Sequence, residues 1–289
     1  WLKPFQRNLQ CCAPGSARLL TMAFALKLLL AVTATAASLP TGNSSTQTDN
    51  STVTNVRDVA SFSRLHASAS LQVNVTTVAS MTTSPQIIIT TESQDVASRV
   101  EAHVFFGTLI VTLLPNWGQP ASKPVMVSVQ VPQPLVFMGA SFGARIFADV
   151  VAGPLSASSQ GEIYVSALNA TGPINIDASS SGNVYVHTGH ADYATISSSS
   201  SGRVELGSLT LRRAIIAASS SASISGLVTG TCGISASSGA SVDVTVTNGA
   251  DLTCSSGSRV IINGGGRVKE YFVSPDCFVE YLKAGQLRR

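Results

Sequence analysis

The sequence predicts an all-β chain built as a single-stranded parallel β-helix, a solenoid with about 19 residues per coil. Three observations point there. Charged residues are 11% of the 289 residues, against ~25% in ordinary globular proteins. The chain therefore lacks the Lys, Glu and Arg with which helices solubilise their outer faces. Apolar residues, 44% of the chain, alternate with polar ones over many short segments, the period of a strand with one buried face. Ser-Gly corners return at a fixed interval, the signature of stacked repeats.

The corners run in order along the second half of the chain. "GASFGARIFAD" carries Gly143, "LSASSQGEIYVS" Gly161, "INIDASSSGNVYVH" Gly182 and "ATISSSSSGRVEL" Gly202. "AIIAASSSASISGL" puts Ala222 at that place, "CGISASSGASVDVTV" Gly239 and "LTCSSGSRVIIN" Gly257. The steps are 18, 21, 20, 20, 17 and 18 residues. Each unit reads as an alternating segment, a serine corner and a second alternating segment. Glycine at the corner allows positive φ, and serine hydroxyls are expected to bond to nearby backbone and to the next rung. The run "ISSSSSGRVEL" is therefore a rung corner, not a linker. Two units fit less well. Ala222 would cost ~1–2 kcal/mol in a left-handed conformation, so that corner is expected to use another geometry or Gly226. The Gly239 unit shifts its apolar register by one residue. Coils at ~4.8 Å spacing make a rod of roughly 30 Å from these corners alone.

Reading from the N-terminus, residues 1–21 precede the first methionine and are set aside as leader. Residues 22–37, "MAFALKLLLAVTATAA", read as a secretory signal peptide. Lys27 is the basic region, a short apolar run follows, and Ala34-Thr35-Ala36 marks cleavage. That run is too short for a spanning helix of ~20 residues. Residues 38–56 read as a polar Ser/Thr-rich linker. Residues 57–265 form the β-helix domain; its first part, to Pro132, alternates without Ser-Gly corners and reads as first coils or a lead-in sheet. Residues 266–289 form a C-terminal extension. In it Ser274 as N-cap, Pro275 at N1 and a closing Gly285 suggest a helical cap over the last coil.

Charge and cysteine usage narrow the function classes. The whole chain carries a net charge of +3 with a pI of about 8.7. Without Lys3, Arg7, Arg18 and Lys27 it holds 14 basic and 15 acidic residues, so nucleic acid is not an expected partner. Beyond the signal, Cys232, Cys254 and Cys277 allow at most one internal disulfide, with the pairing open. Four acceptor triplets, at Asn43, Asn50, Asn74 and Asn169, are candidates for N-glycosylation of a secreted chain.

At this point the order of motifs resembles a known family. "F-x-x-L…LQVNV", "QIIITTE", "GTLIVTL" and "VMVSVQVP", followed by repeated "SSSG-x-V-x-V", resembles the auto-transporter adhesin head domain called the GIN domain. The likeness covers about residues 57–265. It implies a right-handed β-helix on a secreted or cell-surface protein, and carries over no catalytic residues.

The candidate chemistry follows from the repeat. "GASFG" matches the G-x-S-x-G elbow at Ser141, but the next residues alternate as a strand, where that motif needs a helix. His187, His190 and Asp192 in "HTGHAD" could approach a metal, with the latter two in a loop; surface histidines are the plainer reading. After the corners at Gly161, Gly182 and Gly202, Glu162 and Glu205 are the only acids at the outward positions, ~10 Å apart, at the wide limit for an inverting glycosidase pair. "NGGGR" lacks the Lys-Ser/Thr of a phosphate loop. No catalytic residue, metal site or cofactor is predicted. A ligand face made of Tyr164, Tyr185, His187 and Glu205 is, since stacked rings among polar groups suit sugars. The competing reading is a cross-strand aromatic ladder that only stabilises the sheet. The function expected is non-enzymatic adhesion or cell-wall and matrix carbohydrate binding, with surface polysaccharide or surface proteins as partners and no membrane span in the mature chain. A carbohydrate-active lyase or hydrolase on the same scaffold is the alternative.

Overall fold

The computed structural model describes residues 44–48, 52–81, 84–115 and 125–282. The leader and signal peptide, Asn43, Asn50 and Gly285 lie outside the described residues. Parallel pairing steps coil by coil. Glu162 aligns with Asn183, Asn183 with Arg203, Arg203 with Ser223, Ser223 with Ser241, and Ser241 with Arg259. The chain is thus a β-solenoid. Its core is a set of columns running along the stack. Ile163, Val184, Val204, Ile224, Val242 and Val260 form one column, all fully buried. Burying each such side chain contributes about 1.5–3 kcal/mol. Alternation along each strand turns the neighbouring residues outward, so the outer face also forms columns.

The corners differ from expectation in an instructive way. The residues with positive φ are pairs ahead of the glycine: Ser180 and Ser181 (φ 50° and 63°), Ser200 and Ser201, Ser220 and Ser221. Gly182 and Gly202 follow them without positive φ. They are glycines because a Cβ would lie 2.4 Å and 2.3 Å from the carbonyl oxygens of Ala157 and Ala178 in the preceding coil. Ala222 takes this third place and incurs no left-handed penalty, contrary to the expectation. The apparent register shift at Gly239 has the same origin. Gly143, Gly239 and Gly257 hold the second, left-handed place (φ 77°, 73° and 68°), and Ala144, Ala240 and Ser258 hold the third.

The i→i+3 turn bond records the difference. It is 2.8–2.9 Å where glycine is third (Gly161, Gly182, Gly202) and 3.1–3.3 Å where alanine is third (Ala144, Ala222, Ala240). Corners stack through backbone, as in Ser181 N–H donating to Ser200 O and Ser201 N–H to Ser220 O, both 3.0 Å. The expected serine hydroxyl ladder does not form. Ser180, Ser200, Ser220, Ser238 and Ser256 are exposed, and their hydroxyls make no bond to the described protein.

The N-terminal part is both coil and lid. Arg64–Ser68 and Leu71–Thr77 form a coil with its own left-handed corner at Ala69 and Ser70 (φ 67° and 49°). This coil sits between Phe137–Ser141 with Arg145–Val151 on one side and Thr108–Leu113 with Val125–Val131 on the other. Antiparallel strands then close that end. Val100–Phe105 pairs with Thr108–Leu113, and Gln86–Thr91 with Val125–Val131. Thr52–Asp58 and Ser44–Thr48 follow outward, all but Arg57 and Asp58 within the stretch 38–56 expected to be linker. Antiparallel additions of this kind protect an open strand edge. The short helix Gln94–Ser98, capped by Ser93 Oγ, buries Val96 and Ala97 there.

The C-terminal extension is a further coil rather than a helix. Arg267–Val273 pairs with Ser241–Cys254, and Phe278–Leu282 with Arg259–Asn263. Pro275 and Asp276 form a turn at the corner position, and β-branched and aromatic residues favour the strand that follows. Tyr281 donates to Glu270 across the end of the core. A disulfide joins Cys254 to Cys277, which leaves Cys232 buried and free.

Candidate functional site

One outward column carries three rings on successive coils: Phe147, Tyr164 and Tyr185. Parallel register holds equivalent side chains one coil apart. The ring centroids are 4.8 and 4.7 Å apart, with planes within 5° and 8° of parallel. Tyr164 is therefore covered on both faces. Only the outer face of Phe147, towards Asn74, and that of Tyr185, towards Glu205, carry no ring. Face-on contact with a sugar is confined to these two ends, and elsewhere the stack offers ring edges.

A second column lies two residues further along each strand: Thr76, Asp149, Ser166, His187 and Gly207. With Asn74, Phe147, Tyr164, Tyr185 and Glu205 it borders a groove of ≈ 560 Å³. Five coils at ~4.8 Å make the groove about 19 Å long. One wall is aromatic with polar ends, and the other is polar. All four residues of the expected ligand face border it. The alignment from glycine to glycine missed Phe147. Gly143 holds the second corner place and Gly161 the third, so counting from each glycine put Phe147 one residue out of line with Tyr164. The shared spacing from the left-handed pair was the signal. As groove residues, Asn74 and Thr76 were missed for want of any visible corner glycine before Leu71, and Asp149 and Ser166 for want of chemistry that marks them.

The acids near the groove are all partnered. Glu162 accepts from Arg145 Nε at 2.9 Å and from the Tyr164 hydroxyl at 3.1 Å. Glu205 pairs with Arg203. Asp149 accepts from Thr77 N–H at 2.7 Å and Thr77 Oγ1 at 3.0 Å. Desolvation pushes both phenols up. Glu162's charge and hydrogen bond add to this at Tyr164, and Arg203 opposes it at Tyr185. Both tyrosines are thus protonated donors at neutral pH.

The remaining candidates fall apart in space or lack partners. His187 is in the groove, but His190 and Asp192 lie in the strand Asn183–Ser198 rather than a loop, and Asp192 sits 3.9 Å from Arg212. The described residues contain no cluster of three metal-ligating side chains. Ser141 does meet a histidine: His66 Nε2 is 3.2 Å from its Oγ. The imidazole packs over Gly139, where a Cβ would stand 2.5 Å from Nδ1. However, Ser141 is buried at a strand end, and the amides of Gly143 and Ala144 donate to Ser159 O and Ser141 O. Those two are not available as oxyanion donors.

With this geometry in hand, comparison with known proteins is decisive at the family level. The family model described as "Putative auto-transporter adhesin, head GIN domain" matches residues 61–266. The chain belongs to the GIN domain family. No curated protein matches it. Solved structures do. A "putative adhesin" from Parabacteroides distasonis superposes with a TM-score of 0.68 at 15% identity, covering 81% of this chain and 98% of that one. Another, from Parabacteroides merdae, gives 0.64 at 17%, covering 81% and 97%. A "putative lipid binding protein" from Parabacteroides distasonis gives 0.61 at 14%, covering 81% and 98%. At these identities the likeness shows the GIN fold alone. Membership gives the chain an adhesin-like surface role, and no described helix is long and apolar enough to cross a membrane.

Proposed function

We propose that this GIN domain is a secreted or cell-surface binding module that holds a linear, uncharged polysaccharide along the aromatic-walled groove. The observation that carries this is the groove itself: about 19 Å of parallel walls, one aromatic and one polar. Aromatic groups flanked by hydroxyl and imidazole suit a chain of sugar rings with apolar faces and hydroxyl edges. Among the described residues no lysine or arginine lines the groove, which favours an uncharged polymer over an anionic one. The pairing of the acids favours binding over glycoside hydrolysis. Glu162 and Glu205 are each engaged by arginine, whereas hydrolysis needs one as a free acid and one as a free base. The reading of residues 22–37 as a signal peptide supports an extracellular site. Co-sedimentation of residues 38–289 with insoluble neutral polysaccharides tests the proposal. Saturable binding that Tyr185→Ala weakens supports it, and no retention by any polymer removes carbohydrate from the account.

A further inference from the structure

We propose that Asn74 is N-glycosylated and that its first sugar packs against the open face of Phe147, at the head of the groove. The proposal rests on secretion through a glycosylating pathway, not on polysaccharide binding. Asn74-Val75-Thr76 is an acceptor triplet. Its strand turns Asn74 outward between two unlike neighbours. On one side Asn74 aligns with Phe147, on the other with Ser128. Ser128 is a small residue. Phe147 has one face on Tyr164, so its other face is turned to Asn74. Phe147 remains 36% exposed although it belongs to a stack. The Asn74 amide makes no hydrogen bond to the described protein, so substitution at its nitrogen breaks no contact.

A sugar on this amide would therefore supply what the column lacks, an apolar face beyond the last ring. Asn169, the other described acceptor, is a built-in control. It aligns with His190 at a strand end, away from the rings. In the modification the Asn74 amide nitrogen bonds to the anomeric carbon of a sugar carried on a lipid pyrophosphate. The pyrophosphate leaves with the bond electrons, and the amide loses one proton. The transferase and donor are those of the secretory pathway and act on the chain before it folds.

The experiment is secretion of residues 38–289 behind a cleavable secretion signal from cultured eukaryotic cells, peptide mass mapping at residue 74, and thermal unfolding. Asn74→Gln should lower Tm by about 2–4 °C. In a Phe147→Leu background, which keeps apolar bulk, Asn74→Gln should leave Tm unchanged, as should Asn169→Gln in either background. Should Phe147→Leu fail to fold, proton NMR of the wild-type glycoprotein decides. The N-acetyl or ring protons of the first sugar should be shifted upfield by the phenyl ring. An unmodified Asn74, a Tm gain that survives Phe147→Leu, or unshifted sugar protons overturns the proposal. Polysaccharide co-sedimentation of the unglycosylated chain fails or succeeds independently of all three.

Discussion

Gly182→Ala should destabilise the solenoid although glycine there has an ordinary φ. The new Cβ would stand 2.4 Å from Ala157 O and 2.5 Å from its carbonyl carbon, whereas real Cβ contacts essentially never fall below 3.0 Å. The corner must therefore open by roughly 0.6 Å. Corners that already hold alanine show how it yields, with turn bonds 0.2–0.5 Å longer than the glycine corners. The bonds that flank Gly182, Ser179 N–H to Ala157 O and Asn183 N–H to Gly161 O, both 2.9 Å, resist further movement. Overpacking of this size costs about 1–3 kcal/mol. For a domain of this length that lowers Tm by about 2–4 °C per kcal/mol. Ser181→Gly, one residue earlier at φ 63°, should instead lie within about 1 kcal/mol of wild type, because relief of left-handed strain offsets added chain entropy. Circular-dichroism melts of residues 38–289 read both variants. A Gly182→Ala protein that melts with wild type, or a Ser181→Gly protein that melts lower than Gly182→Ala, refutes the close-approach argument.

Three further predictions follow from the same geometry. Reducing agent should destabilise the fold by about 3 kcal/mol through the 23-residue Cys254–Cys277 loop; Cys277→Ser should match the reduced protein, and a reductant-insensitive melt contradicts the pairing. Cys232, its thiol pushed up to about 12 chiefly by burial, should resist alkylation until the chain unfolds, and rapid labelling of native protein argues against this. His66 has its pKa lowered by burial, so the unfolded chain holds more protons just below its ordinary value of about 6.5. Stability should therefore fall as pH drops through about 6.5 and level off below the folded value. His66→Gln should flatten that step in urea midpoints, and an unchanged pH slope in the variant assigns the effect elsewhere.

The solenoid was legible because its two periods are written in residue types: alternation within a strand and the serine corner between strands. The end elements were not. Ser274 and Pro275 carry helix-start chemistry, yet a parallel edge offered by Arg259–Asn263 outweighs the preference of five residues. Likewise Ser44–Thr48 is polar throughout and gains strand structure only by pairing with Thr52–Asp58. Local composition says nothing about such partners. The candidate site was half legible. Tyr164, Tyr185, His187 and Glu205 could be brought together by counting, since each follows a glycine in the third corner place. Phe147 could not, because glycine serves two purposes at these corners. In the second place it relieves positive φ and in the third it admits a neighbouring coil, and the sequence does not label which. Asn74 lies across an insertion: 73 residues separate it from its neighbour Phe147, and no periodic count crosses that gap.

The most direct test of the groove as a binding site is a binding isotherm of unglycosylated residues 38–289 on insoluble neutral polysaccharides, repeated with Tyr185→Ala and with Ser220→Ala on the distant corner ridge. The account predicts saturable binding to at least one polymer, weakened several-fold by Tyr185→Ala and unchanged by Ser220→Ala, with both variants folded. Binding that Tyr185→Ala leaves intact, or that is absent for every polymer, contradicts it and leaves the aromatic column as a stabilising ladder alone.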